Sequence, residues 1–412
     1  MNMDQLVRDA LHEQASETTT PQPGFAGRVL AVRRRRRTRT IAGAAVATAV
    51  AVAVGVAVPV LYDGKDESRL ATQMNQSDII AHPDQTPPRD FIAVGDTAMA
   101  AYYTAGTVLT GADRGVFQRS YHLLDQKTGK YVKSPKWSFL DVAPGMRTAA
   151  VLEKGLPTKR IGLLDLLTGE VERWITVDRA VAGVSFSADG SKLVATTYSK
   201  NPDMQELAPN DADGDGKKND WGPQWGESHR TGFYVLDADS GKGSWSKVTV
   251  HKNDDDMPGG SLNARQDFAF SADAKLVYSG LIMEPNVQYY DFEGNEVATP
   301  AKEKYLHWSV DARLSPDGKL AAGDFAGGIK TTASEINDPY TGKRLHKIPG
   351  QQLLAWADNK RLIAWDITPG SNEFHNRLVL VTIGSDKTIP LSGFRKGNDG
   401  APGRWNPVFA AR

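Results

Sequence analysis

Two kinds of apolar segment alternate over most of the chain. One is an apolar strand, a tight polar turn and a second apolar strand: FIAVGDTAMAAYY, LDVAPGMRTAAVLE, VSFSADGSKLVATTY, FAFSADAKLVYSG, ARLSPDGKLAAGD and LLAWADNKRLIAWD. The other runs an apolar strand into an Asp/Thr/Gly turn: YHLLDQKTGK, IGLLDLLTGE, FYVLDADSGK, VQYYDFEGNE, INDPYTGK and LVLVTIGSDK. Period-two alternation puts Val184 and Phe186, then Leu193 and Ala195, on one strand face, which has to pack against a neighbouring sheet. Asp-Gly and Asp-Asn pairs supply the positive-φ positions of short hairpin loops, and Ser or Ala two residues before the Asp leads into the turn.

Each pair of segments makes four strands. The turn residues of the first kind are Asp96, Gly145, Asp189, Asp273, Asp317 and Asp358, spaced by 49, 44, 84, 44 and 41. A four-stranded sheet cannot bury both faces alone, so a unit repeating at this period reads as a propeller blade. The fold class expected is all-β, a six-bladed β-propeller over residues 91–412. A seventh blade results if RWNPVFAAR near the C-terminus closes an extra sheet by strand exchange. The doubled spacing holds one blade plus an insertion, residues 199–231. A β-sandwich would not need six similar units.

The N-terminal pattern is different. Residues 41–61, IAGAAVATAVAVAVGVAVPVL, carry no charge. As a helix rising 1.5 Å per residue they cross a hydrocarbon core of about 30 Å. Before them Leu6, Val7, Ala10 and Leu11, then Phe25, Val29, Leu30 and Val32, form apolar stripes on two short helices, too small to bury a core of their own. A Pro-containing linker, residues 62–90, follows the span.

Charge sharpens this division. The chain of 412 residues has 49 basic and 49 acidic side chains. Formal neutrality argues against a nucleic-acid partner. Yet residues 1–40 carry +4, with Arg33 to Arg37 against the span, and the remainder carries −4. The positive-inside rule then places a cytoplasmic tail at 1–40, a transmembrane helix at 41–61 and the C-terminal domain outside the plasma membrane. Export with cleavage of the apolar segment is the alternative, since small-residue patterns such as Ala51-Val52-Ala53 could be cut. The absence of cysteine excludes disulfides, thiolate zinc sites and Cys nucleophiles.

The motifs SADGSKLVA and SPDGKLAAG, each followed by a strand ending in LD-x-x-TG or its like, resemble the repeats of TolB-like and WD-repeat-like bacterial propellers, over about residues 90 to 391. Such propellers mostly act as binding platforms and some carry enzymes. The resemblance implies a membrane-anchored propeller of high-GC Gram-positive type, acting as a sensor or scaffold with a protein partner at the propeller face. The layout of short tail, Arg block, span and external domain also resembles membrane-bound anti-sigma factors, which would make the tail a regulator-binding segment. The zinc motif common in those proteins is impossible without cysteine.

Candidate chemistry is sparse. Within the insertion, Asp211, Asp213 and Asp215 before Gly216 match the D-x-D-x-D-G opening of a calcium loop, where alternate oxygen ligands and a sharp Gly turn suit a hard cation. Lys217 could add its carbonyl, and Asn219 or Asp220 could close the site. The twelfth position is Gly222, so this is not an EF-hand; a solvated acidic loop fits the same residues. Trp221 and Trp225 flank the loop, either as a binding pair or as residues folding it back onto the scaffold. The remaining tryptophans read as blade packing. No H-E-x-x-H, G-x-S-x-G, P-loop or Rossmann fingerprint occurs. No catalytic residue is expected, although a propeller lactonase or lyase with dispersed site residues would leave no such motif.

Overall fold

The computed structural model describes residues 78–208, 220–224, 228–248, 265–280, 287–328, 332–367, 374–397 and 404–412. The predicted tail and span lie outside them. Among the described residues no helix is long and apolar enough to cross a membrane. The described chain is all-β. In order the strands are β1 (Ile79–Ile80), β2 (Ala93–Val94), β3 (Thr97–Leu109), β4 (Arg114–Asp125), β5 (Lys130–Ser134), β6 (Trp137–Val142), β7 (Thr148–Glu153), β8 (Thr158–Asp165) and β9 (Glu170–Phe186). They continue with β10 (Lys192–Tyr198), β11 (Met204–Leu207), β12 (Trp221–Pro223), β13 (Arg230–Asp237), β14 (Gly243–Lys247), β15 (Ala269–Phe270), β16 (Val277–Gly280), β17 (Val287–Tyr290) and β18 (Glu296–Val297). The last are β19 (Ala321–Phe325), β20 (Ala333–Asn337), β21 (Arg344–Pro349), β22 (Gln352–Trp356), β23 (Arg361–Ile367), β24 (Asn376–Thr382), β25 (Thr388–Pro390) and β26 (Trp405–Ala411).

Pairing is antiparallel between neighbours along the chain. The β6–β7–β8–β9 meander runs directly into β9–β10–β13–β14, because β9 pairs with β8 through its first half and with β10 through its second, with a bulge between Thr176 and Val181. The meanders β15–β18, β19–β21 and β22–β25 form separate sheets, and an isolated bridge from Leu314 to Ala321 flanks the second of these. The C-terminal strand β26 joins the first sheet, pairing with β3 from Trp405↔Thr104 to Ala411↔Thr97. RWNPVFAAR thus does exchange strands, but it completes the sheet of β3, β4 and β5 instead of founding an extra one. Residues 78–90, assigned above to the linker, are already tied down: β1 pairs with β2, and Gly393 N bonds Gln85 O at 2.7 Å.

All six predicted hairpins are present, and three share one network. Ser187, Ser271 and Ser315 are buried, and each hydroxyl donates to the turn Asp, at 2.5 Å to Asp189 and 2.8 Å to Asp273 and Asp317. Each Ser oxygen also accepts the backbone N–H five residues on, at 2.9 to 3.0 Å. The serine satisfies buried backbone where the strand turns over, which is why it recurs two residues before the Asp. In the second set of turns, Asp125, Asp165, Asp237, Asp291 and Asp338 accept N–H groups two to four residues on.

In a meander the first and third connections lie at one end of the strands and the second at the other. Within each sheet these Asp turns therefore share one end, and turns of neighbouring sheets meet there, where Asp317 N donates to Asn359 Oδ1 at 2.9 Å. At the opposite end of their sheets lie the β3–β4 tip and the β11–β12 strands paired beside it. Between the sheets, apolar clusters interlock, with Ile92, Met99, Leu124, Leu152, Ile161, Leu164 and Leu193 fully buried. Of the tryptophans read as blade packing, Trp137, Trp356, Trp365 and Trp405 are buried, while Trp174, Trp245 and Trp308 are half-buried.

Candidate functional site at the loop end

The insertion leaves β10 and crosses to the first sheet. There β11 extends the ladder of β4, with Met204↔Val116, Gln205↔Gly115 and Glu206↔Arg114, and β12 pairs outside β11. The β3–β4 hairpin is long enough to receive it, since its register continues to Leu109↔Gly115. A Cβ on Gly115 would lie 2.4 Å from the Thr107 methyl and 3.4 Å from the Trp221 ring, so glycine permits the close stacking of these strands.

At the root of the crossing sits a buried ionic cluster. Asp203, 5% exposed at its side chain, receives Arg119 Nη1 at 2.8 Å and Arg265 Nη2 at 2.6 Å. Arg265 Nη1 continues to Asp267 Oδ2 at 2.8 Å and to the Ala182 carbonyl at 2.6 Å. The Tyr198 hydroxyl donates to Asp267 Oδ1 at 2.9 Å. The Phe139 ring has both guanidiniums beside it, Arg265 at 4.6 Å and Arg119 at 5.4 Å. A Cβ on Gly183 would fall 2.2 Å from the Asp267 carboxylate, so the inner half of β9 has to carry glycine there.

Two carboxylates face two guanidiniums, so the cluster is neutral as a set. Burial works against the Asp203 charge, but the fields of Arg119 and Arg265 outweigh it and hold its pKa below the usual carboxylate range. Burial raises the Tyr198 hydroxyl well above its ordinary value. Two residues along β6 from Phe139, and on the same strand face, Asp141 accepts Phe186 N at 2.7 Å, and burial pushes its pKa up to about 6. The geometry of the cluster suits a clasp that joins the first, second and third meanders to the residues leading into β15.

Of the residues predicted for calcium, Asp211, Asp213, Asp215, Lys217 and Asn219 lie outside the described residues, as does Trp225. Asp220 and Trp221 are described, at the neck of the β11–β12 hairpin. Ala208 N bonds Asp220 O at 2.7 Å, and Leu207 pairs with Trp221. Half-buried Trp221 lies against the β3–β4 hairpin, its ring 3.4 Å from the position of a Cβ on Gly115. Among the described residues no three His, Asp or Glu side chains gather as metal ligands. The clasp left no signal in the sequence, because its members are scattered from Arg119 to Asp267 without any spacing motif.

The sheets define an all-β protein of propeller type. No family model matches the chain, and no curated protein does. Among solved structures it is similar to TolB from Acinetobacter baumannii, at 16% identity and TM-score 0.35 over 72% of this chain and 66% of that one. It is also similar to Kuenenia stuttgartiensis hydrazine synthase, at 13% identity and TM-score 0.31, covering 62% and 66%. A third similar structure is a chain of the mitotic checkpoint complex, at 12% identity and TM-score 0.38, covering 91% and 99%. The chain spans just under two thirds of the length of the first two. Likenesses this remote say nothing of ligand or activity, and the architecture rests on the sheets themselves.

Proposed function

We propose that the chain is a single-pass membrane protein that presents a six-bladed propeller outside the cell as a protein-binding module, with the loop end as its recognition surface. The observation that carries this is the long β3–β4 hairpin with β11 and β12 of the insertion added beside its tip, at the end of that sheet opposite its short Asp turn. Repeat architectures place binding loops on one face in this way. Apolar side chains are offered there: Val108 is 47% and Leu109 63% exposed. The count of six takes β26–β3–β4–β5 as one blade and the double meander through β9 as two, with the remaining three sheets as one each. The uncharged 41–61 segment and the Arg block support the anchor.

Protease added to intact expressing cells is expected to digest residues 91–412 and spare the 1–40 tail. A protected propeller would refute the topology. Photo-cross-linkers then test the surface: capture of one specific partner through position 109 and not through position 242 is expected, and equal capture at both removes the loop end as the recognition surface.

This reading also assigns calcium to Asp211, Asp213 and Asp215, where it would order the tip of the insertion. Added calcium is expected to raise the thermal midpoint of the parent and leave that of Asp211→Ala unchanged. Equal responses would eliminate the site.

A further inference from the structure

Both ends of the described chain leave the fold at the Asp-turn end. Gly95 N bonds Asp78 O at 2.9 Å, and the Asp78 carboxylate takes Arg361 Nη1 at 2.5 Å and Nη2 at 2.9 Å. Arg412 N bonds Asp96 O at 2.9 Å. Between the apolar segment and Asp78 stand residues 62–77, which reach at most roughly 55 Å when fully extended. An anchor at 41–61 therefore tethers the domain by its Asp-turn end.

Next to that entry lies an aromatic and basic patch. From the Arg361 hairpin, Asn359 Oδ1 accepts Asp317 N at 2.9 Å, which leads to the neighbouring Asp turn. Lys302 Nζ lies 3.5 Å from the position of a Cβ on Gly318, and 5.8 Å from the centre of the Tyr340 ring. Tyr340 belongs to the β20–β21 turn, and the Tyr305 ring lies against Gly342 of the same turn, where a Cβ would come within 2.6 Å of it. Tyr305 is 42% and Tyr340 56% exposed.

The patch is fixed from beneath. Buried Glu303 accepts the Tyr289 hydroxyl and Arg313 Nη2, both at 2.8 Å, and Ala272 N at 3.0 Å. Its neighbours Lys302 and Lys304 are exposed. Lys319 and Lys343 are exposed in the adjoining turns, and Lys319 Nζ reaches Asp317 at 3.3 Å. The two aspartates of these turns, Asp317 and Asp338, accept backbone N–H groups. Lys302 Nζ thus lies 5.8 Å from the Tyr340 ring centre and Lys304 Nζ 5.6 Å from that of Tyr305, and the apolar bodies and wet hydroxyls of these tyrosines suit headgroup depth. Lysine stems can lie along such a surface while the ammonium meets phosphate.

We propose that the Asp-turn end rests on an anionic lipid surface, with Tyr305 and Tyr340 as interfacial anchors and Lys302, Lys304 and Lys319 meeting headgroup phosphates. This rests on the anchored reading above and adds an orientation, loop end outward, with a contact that holds it.

The cysteine-free sequence allows a direct test. Full-length chain with a single fluorophore at Lys387→Cys, in the Asp-turn end, or at Leu109→Cys, at the hairpin tip, is reconstituted in nanodiscs containing doxyl-labelled lipid. With phosphatidylglycerol present, quenching at position 387 is expected to exceed that at 109 several-fold, and to fall in discs of phosphatidylcholine alone. Tyr305→Ser with Tyr340→Ser, and separately Lys302→Glu with Lys304→Glu, are expected to reduce it, with thermal midpoints held near the parent's as proof of folding. Equal quenching at both positions, or quenching at 387 indifferent to both double variants, would overturn the contact. A chain that fails to elute with the discs at all would instead refute the anchor.

Discussion

A chain ending at Arg404 is expected to lose its cooperative unfolding transition. The eight residues removed include all of β26, the strand that ties the C-terminus into the first sheet. Without it the β3 edge from Thr97 to Thr104 loses its ladder partner, and an open edge beside apolar side chains invites aggregation. The removal also opens the core. Trp405 is 1% exposed and meets Trp365 and Tyr102 edge-on, with ring centres 5.3 and 6.0 Å away, and its Nε1 donates to Thr86 Oγ1 at 3.1 Å. Arg395 donates to the Trp405 carbonyl at 2.9 Å while its guanidinium stacks on Trp365 at 3.6 Å. The point variant Trp405→Ala isolates the cavity and is expected to cost about 3–5 kcal/mol. Urea titrations followed by far-UV circular dichroism read both effects, and a truncated chain with the parent's midpoint would show that strand exchange is dispensable.

Asp203→Ala is expected to cost about 3–5 kcal/mol, because it leaves two buried guanidiniums facing each other without the carboxylate between them. The insertion should then loosen, and limited trypsin digestion is expected to cut within 199–231 faster than in the parent. A hydrophobic double replacement, Asp203→Leu with Arg119→Met, leaves Arg265 paired with Asp267 and is expected to recover most of the loss. If Asp203→Ala unfolds at the parent's midpoint, the clasp contributes nothing to stability. The pH dependence has a definite sign. Asp203 is held below its unfolded value of 3.8, so its contribution is complete above that value and disappears as pH falls through the lowered folded pKa. Asp203→Asn is expected to lack this part of the acid sensitivity, so the stability gap between parent and variant narrows below about pH 4.

Much of the fold was legible from local chemistry. A hairpin such as Ser187–Lys192 is specified within six residues: the Asp accepts turn N–H groups, Gly190 takes φ +73° and the Ser hydroxyl closes the strand ends. Ala274 adopts φ +53° where the other two hairpins of this kind have glycine, so the buried Ser and the Asp hold the turn even with a Cβ present. The destination of the insertion was not legible. Nothing in MQEL or WGP says that these short strands add to β4, because an edge strand is chosen by which backbone lies open nearby. Nor does the sequence place Trp221 beside Gly115 of the β3–β4 hairpin, a contact made across strands far apart in the chain.

The sequence by itself determined the repeating strands, the Asp turns between them, and the uncharged segment that divides a basic tail from an acidic remainder. These are properties of neighbouring residues: side-chain alternation, turn geometry and local charge. Only the tertiary structure decided that β26 returns to β3, and that Arg119 and Arg265, 84 and 62 residues from Asp203, converge on it. It also decided that the Tyr305 ring lies against the turn that carries Tyr340, with Lys302 between that turn and the Asp317 turn. Such contacts form when separate sheets pack around one another, and distance along the chain carries no record of that packing.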